Sequence, residues 1–316
     1  MSDGVVKAKK IKSMELEPDD VVHITEMGNI IEVRYLSRKN RQQRIQMLKD
    51  RKFLNLSTGE IKECKERSKR RSDRINNLYC TFRRLRAIIN TNIVDPKKVH
   101  WVTLTYAENM KDTKKLYSDF QAFNKRYKYY LKKREIDQVE YIAIAEPQGR
   151  GAWHLHLLYI YKKRRPFVPN EKLRELWGHG FVMIRSLESV DNVGAYLTAY
   201  LTDIPVEDVS TIYNANEDKK MATNDENGGN TCAKTDKKYI KGGRMLFYPA
   251  NFNLYRCSRG IKRPITQEKL YKEALEKIGN GIETYRKTVE LSDTESDFKL
   301  VIHTEYYNKM RKNGDN

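Results

Sequence analysis

Residues 139–161, VEYIAIAEPQGRGAWHLHLLYIY, constrain the fold more than any other stretch of this chain. Two runs rich in Val, Ile, Leu and Tyr flank a Pro-Gln-Gly-Arg-Gly segment, which is the composition of two antiparallel strands joined by a tight turn. Successive side chains on a strand point to opposite faces. His154 and His156 therefore share one face, and Trp153, Leu155 and Leu157 share the other. Two imidazoles about 7 Å apart along a strand can converge on a single divalent ion above the sheet. Glu146 ends the preceding strand and joins the histidine face if cross-strand partners have numbers summing to an even value. An odd register breaks the arrangement. Such a mixed nitrogen and oxygen set suits Mn2+ or Mg2+ working as a Lewis acid on a phosphodiester. A bare H-x-H more often marks exposed or core histidines, so the remaining chain has to carry the assignment.

The flanking segments extend the pattern. VHWVTLTY reads as a strand, and KDTKKLYSDFQAFNKRYKYYLKKR as an amphipathic helix with Leu116, Phe120, Phe123, Tyr127 and Tyr130 on its apolar side. After the hairpin, NEKLRELWG reads as a short helix with Asn170 as N-cap, FVMIRSL as a strand and SVDNVGAYLTAYLTDI as a helix. The order β-α-β-β-α-β-α predicts an α+β chain with a ferredoxin-like, split βαβ core: an antiparallel sheet of about five strands flanked by helices. Upstream, the β-branched runs around Met27-Gly28-Asn29 predict a hairpin, and a three- and four-residue apolar step predicts a helix from about Cys64 to Asn90. The expected organisation is a basic N-terminal region over 1–95 and a core over 96–212. A mobile polar insertion over 213–241 and a C-terminal basic segment with a helical tail over 242–316 follow.

Charge narrows the partners. The net charge is +19, and residues 33–98 alone hold twenty Lys/Arg against six Asp/Glu. Clustered cations at this density suit a phosphate backbone, because each contact releases condensed counterions. Arg70, Arg71, Arg74, Arg83 and Arg84 lie in this region, and Arg150, Arg256, Arg259, Lys262 and Arg263 form later basic points, so these are the expected DNA-binding residues. No apolar run reaches the length of a membrane span, no basic amphipathic helix with bulky anchors suggests a membrane surface, and the N-terminus lacks the apolar core of a signal peptide. Cys64, Cys80, Cys232 and Cys257 are scattered without a C-x-x-C pair, which points to a reduced, cytoplasmic setting rather than a disulfide scaffold or zinc ribbon.

Downstream of the histidines, Tyr196 and Tyr200 sit four residues apart, on one helical face, while Val190, Val193, Leu197, Leu201 and Ile204 form an apolar stripe that can dock on the sheet. A tyrosine hydroxyl becomes an effective nucleophile toward a phosphodiester whose non-bridging oxygens a metal polarises. The ordered trio WVTLTY (Trp101–Tyr106), HLHLL (His154–Leu158) with Glu146 upstream, and YLTAYLTD (Tyr196–Asp203) resembles the HUH endonucleases. The likeness is greatest to rolling-circle replication initiators of plasmids, phages and mobile elements of Gram-positive bacteria.

That resemblance spans about 100 residues and implies a first motif with structural or DNA-contact roles. It further implies a metal motif formed by Glu146, His154 and His156, and catalytic Tyr196 and Tyr200. The implied activity is site-specific nicking and rejoining of single-stranded DNA at a replication origin through a 5′-phosphotyrosyl intermediate. The partners would be origin DNA, single-stranded or in a hairpin, with a host helicase and polymerase, since no G-x-x-x-x-G-K-[ST] loop is present. Relatives often carry Tyr-x-x-Lys. Here Ala199 and Asp203 occupy the lysine positions, leaving Arg150, Arg185 or Lys241 to supply a cation. Alternatives are a relaxase or single-strand transposase of the same superfamily, a non-catalytic origin-binding protein, and an RNA-binding ferredoxin-like sheet. Relaxases tend to carry an N-terminal tyrosine, and an RNA-binding sheet would show aromatics where this strand shows histidines.

Overall fold

The computed structural model describes residues 6–38, 45–64, 75–136, 139–148, 151–202, 204–205, 239–240, 248–249, 252–293 and 299–311. The chain is α+β, with antiparallel sheets and, among the described residues, five α-helices. Strands β1 (Val6–Ile11), β2 (Val21–Met27) and β3 (Ile30–Leu36) come first, followed by the short β4 (Ile45–Met47), β5 (Lys52–Asn55) and β6 (Ile61–Glu63). Helix α1 (Ile75–Asn92) leads into β7 (Val99–Tyr106), α2 (Thr113–Lys132), β8 (Val139–Pro147) and β9 (Trp153–Tyr161). Next come α3 (Asn170–Trp177), β10 (Gly180–Arg185), α4 (Val193–Thr202) and the paired two-residue strands β11 (Ile204–Pro205) and β12 (Tyr239–Ile240). The order ends with β13 (Tyr255–Cys257), β14 (Ile265–Leu270), α5 (Tyr271–Ile278), β15 (Ile282–Asp293) and β16 (Lys299–Asn308).

These elements form two compact units: Lys69–Lys262, and Met1–Ser68 together with Arg263–Asn316. Their boundaries fall at 68/69 and 262/263, rather than at the composition changes near 95 and 241. The polar stretch 213–241, expected to be mobile, lies outside the described residues except for β12.

In the Lys69–Lys262 unit the sheet order is β10-β7-β9-β8-β13, and every neighbouring pair is antiparallel. β7 and β8, linked by α2, thus run in the same direction with β9 between them. Alternation assigns the two faces. Leu104 and Tyr106 of β7 and Leu155, Leu157 and Tyr159 of β9 are buried with Leu116, Phe120, Phe123 and Tyr127 of α2 and Leu173 and Trp177 of α3. Each large apolar side chain taken from water contributes about 1.5–3 kcal/mol, so this layer anchors the sheet. Asp112 caps α2 by accepting from the Lys114 and Lys115 amides at 2.7 and 3.2 Å. Asn170 is the first residue of α3 rather than its cap; Pro169 holds the cap position, with no side-chain hydrogen bond.

The second unit is built on a six-stranded antiparallel sheet, order β1-β15-β16-β3-β2-β14. The expected hairpin is present as β2 and β3, with Met27 opposite Ile30 and Gly28 at φ 62° in the turn. The expected helical tail is corrected: α5 is eight residues long, and two strands of twelve and ten residues follow. IETYRKTVELSD and KLVIHTEYYN are dense in Thr, Val, Ile and Tyr, whose stiff or bulky side chains suit a pleated surface. They pair with each other as a local hairpin, and their outer partners β1 and β3 lie near the other end of the chain, beyond the reach of a local periodicity.

This unit buries a polar network. The Thr288 hydroxyl oxygen lies 2.7 Å from His303 Nδ1, and His303 Nε2 lies 3.0 Å from Glu305. Tyr307 and Tyr271 donate to Glu305 Oε2 at 2.8 and 3.2 Å, and Arg286 stands 3.2 Å from Oε1. Burial acts to raise the Glu305 pKa, but the hydrogen bonds from His303 and Tyr307 and the Arg286 charge outweigh it and hold the carboxyl below the usual range. A depressed carboxyl pKa adds stability above its unfolded value, and that stability is lost as pH falls through the folded value. Glu305→Gln should cost about 1.5–3 kcal/mol near neutral pH. It should also flatten the acid limb of a plot of urea midpoint against pH. A variant whose acid limb parallels the wild type would count against this role.

Candidate metal and tyrosine site

The turn between β8 and β9 sets the geometry of the site. Gln148 N–H donates to Ala152 O at 2.7 Å, and Gly151 N–H returns to Gln148 O at 2.8 Å. Gly151 sits at φ 83°, a left-handed conformation that side-chain-bearing residues rarely adopt. The strands leaving this turn pair Pro147 with Trp153, Glu146 with His154 and Ile144 with His156. Partner numbers sum to an even value, so Glu146 lies on the histidine face.

Ligand atoms of Glu146, His154 and His156 all lie within 4.8 Å of one another. Glu146 and His156 are each 1% exposed, and His154 is half-buried. His156 Nε2 meets Glu146 Oε2. Burial first, and the Arg185 charge second, push the His156 pKa down to about 3, so the ring is neutral at physiological pH. Two neutral-capable imidazoles and one carboxylate within this spread fit a single divalent cation, because each offers one donor atom toward a common point.

Strand β7 completes the face. Thr103 stands opposite His156 and Thr105 opposite His154. The Thr103 hydroxyl oxygen is 3.1 Å from His156 Nδ1, and the Trp101 indole Nε1 donates to the same nitrogen at 3.4 Å. The Trp101 ring packs edge-on against Tyr196, with centroids 6.0 Å apart, and the Arg185 guanidinium lies 5.3 Å from the Trp101 ring centre. Trp101 thus touches both His156 and Tyr196. The sequence placed it in a strand motif without a specific partner, yet the parity of the β7–β9 register puts Thr103 beside His156.

Tyr196 reaches this place because α4 is locked to α1. Val193, Leu197 and Leu201 are buried at four-residue steps, as the stripe predicted, while Tyr196 is 45% exposed. Asn192 accepts from the Ala195 amide at 3.0 Å at the start of the helix, and Asn90 of α1 donates to the same oxygen at 3.0 Å. Asn90 also accepts from the Gly194 amide at 2.8 Å, and Arg86 donates to the buried Thr198 hydroxyl at 3.1 Å. A Cβ on Gly194 would stand 2.6 Å from both Arg86 O and Asn90 Oδ1, so only glycine permits this approach.

The remaining expected residues are spread more widely. Tyr200 lies on α4, with its side chain outside the described residues, as are Arg70, Arg71, Arg74, Arg150 and Lys241. Arg83 and Arg84 are exposed on α1, and Arg259 and Lys262 are exposed beyond β13. Arg256 pairs with Ala143 on the face opposite the histidines, where its guanidinium covers the Tyr117 ring at 3.6 Å. Arg263 is exposed and belongs to the other unit. His100, 3.0 Å from the Tyr161 hydroxyl, and His179, packed on Trp177, have structural partners away from the triad.

The fold here is an antiparallel α+β sheet whose central hairpin presents two histidines and a glutamate beside a helix-borne tyrosine. Residues 99–204, about a third of the chain, match the family model for the replication-associated protein ORF2. The matched segment starts at the first residue of β7, ends at the first of β11, and contains the triad and both tyrosines. DNA replication is the process this match supports. No curated protein and no solved structure shows significant similarity to the chain. No helix among the described residues is long and apolar enough to cross a membrane.

Gly194→Ala should force α4 away from α1 and destabilise the chain by about 1–3 kcal/mol, measured by urea unfolding. A stability equal to wild type would show that the helices separate without cost.

Proposed function

We propose that this chain is a rolling-circle replication initiator of the HUH type, nicking and rejoining single-stranded DNA at an origin. The single observation that carries the reading is the convergence of Glu146, His154 and His156 on one sheet face, beside the Tyr196-bearing helix. The strand order β10-β7-β9-β8, with helices between β7 and β8 and between β9 and β10, supports a ferredoxin-like core. The family match over this same segment supports replication as the setting.

Glu146, His154 and His156 would hold Mn2+ or Mg2+, which supplies Lewis-acid polarisation of the scissile phosphate when bound. The chain's own residues do the rest. Tyr196 or Tyr200 supplies the nucleophile: its oxygen bonds to phosphorus as the bond from phosphorus to the 3′-oxygen breaks. The tyrosine proton is balanced by the one gained at the new 3′-OH, leaving a 5′-phosphotyrosyl link. Reversal by a 3′-OH rejoins the strand without ATP, because the phosphodiester energy is kept in the link. Arg185, packed against the Trp101 ring that meets Tyr196, takes the place of the absent Tyr-x-x-Lys lysine. Exposed Arg83 and Arg84 on α1 contribute sequence-independent backbone affinity. Phe181 and Met183, exposed on β10 and sharing the histidine face through Thr105 and Thr103, offer apolar surface to unstacked bases. Origin DNA is the partner, with a host helicase and polymerase acting downstream.

With a labelled single-stranded origin oligonucleotide and Mn2+, the wild-type chain should form a covalent adduct that survives denaturation. Tyr196→Phe/Tyr200→Phe should form none. His154→Ala or Glu146→Ala should slow cleavage by on the order of 10²–10³, the rate equivalent of several kcal/mol of lost charge stabilisation. An adduct in the double tyrosine variant would sink the nucleophile assignment.

A further inference from the structure

The strand motif WVTLTY does more than pair in the sheet. Trp101 and Thr103 are two apart on β7, so they share the histidine face, and both reach the same atom, His156 Nδ1. The opposite nitrogen, Nε2, faces Glu146. An indole N–H only donates, whereas a hydroxyl donates or accepts. The two neighbours of Nδ1 therefore favour different placements of the single proton on the neutral ring.

When Trp101 donates to Nδ1, the ring proton sits on Nε2, directed at Glu146. A cation taken by Nε2 needs the lone pair there, which moves the ring proton to Nδ1. Of the two residues, only Thr103 can then accept it. We propose that Thr103 is a positioning residue of the Glu146–His154–His156 site. Its hydroxyl oxygen accepts the Nδ1–H of His156 and so presents the Nε2 lone pair to a divalent cation, while Trp101 favours the opposite arrangement. This rests on the metal reading above. Outer hydrogen-bond partners of this kind fix the tautomer and orientation of a ligating imidazole and commonly change metal affinity about 10- to 100-fold. The two substitutions then act with opposite sign, which a merely packing role for either residue does not produce.

The test titrates Mn2+ into the full chain without DNA and follows free Mn2+ by electron paramagnetic resonance, with thermal unfolding of each metal-free variant alongside. Thr103→Val keeps the shape and removes the hydroxyl; its affinity should fall by about 10- to 100-fold. Thr103→Ser restores a hydroxyl and should recover most of that loss. Trp101→Phe removes the opposing donor and should bind Mn2+ more tightly than wild type. Equal affinities in wild type and Thr103→Val, or a serine variant as weak as the valine one, overturn the proposal. If Thr103→Val does not fold, weaker binding by Trp101→Phe than by wild type overturns it instead. A wild-type chain that takes up no Mn2+ removes the metal reading itself and the proposal with it, a result distinct from any difference between variants.

Discussion

The antiparallel pairing of β8 with β9 underlies everything else at the site. Its register puts Glu146 opposite His154, and a shift of one residue would send the glutamate to the face covered by α2 and α3. On that face it would lie among Leu155, Leu157 and Tyr159, where an unpaired carboxylate costs several kcal/mol. The apolar burial that stabilises the sheet therefore also enforces the register that assembles the polar triad. Gly151 contributes by letting the turn close with a left-handed residue. Core packing and candidate chemistry are two readings of one hydrogen-bond ladder.

Around that hairpin, the site is assembled from elements distant in the chain. β7 supplies Trp101 and Thr103, α4 supplies Tyr196, and α1 holds α4 in place through Asn90 and Arg86. Trp101 is the physical link, since it meets His156 with its indole N–H and Tyr196 with its ring. The lock between α1 and α4 adds side-chain hydrogen bonds and a close glycine contact to the shared apolar core. A fixed seat for the tyrosine is what the proposed transesterification would need, because an attacking oxygen gains from being held near its target.

The second unit is organised differently. Strands from both ends of the chain interleave in one sheet, so neither terminal segment forms it alone. Its buried network around Glu305 surrounds the carboxylate with donors, the condition under which a low-dielectric interior tolerates it. Nothing in the spacing of His303 and Glu305 alone distinguishes that structural cluster from a functional one. The difference lies in the neighbours: Tyr307, Tyr271, His303 and Arg286 meet Glu305 from fixed positions within the sheet or on α5.

Local sequence was enough to put His154 and His156 on one face, to bury one stripe of α4 while leaving Tyr196 out, and to order the elements β-α-β-β-α-β-α. These are properties of short-range periodicity, which backbone geometry converts directly into direction. The folded chain alone settled whether Glu146 joined the histidines, which residues of WVTLTY touch His156, and on which side of the sheet Arg256 falls. It also seated the final two strands between β1 and β3 across nearly the whole chain, although their composition and their pairing with each other are local. Register and long-range pairing depend on which surfaces can be buried together, and no local window contains that information.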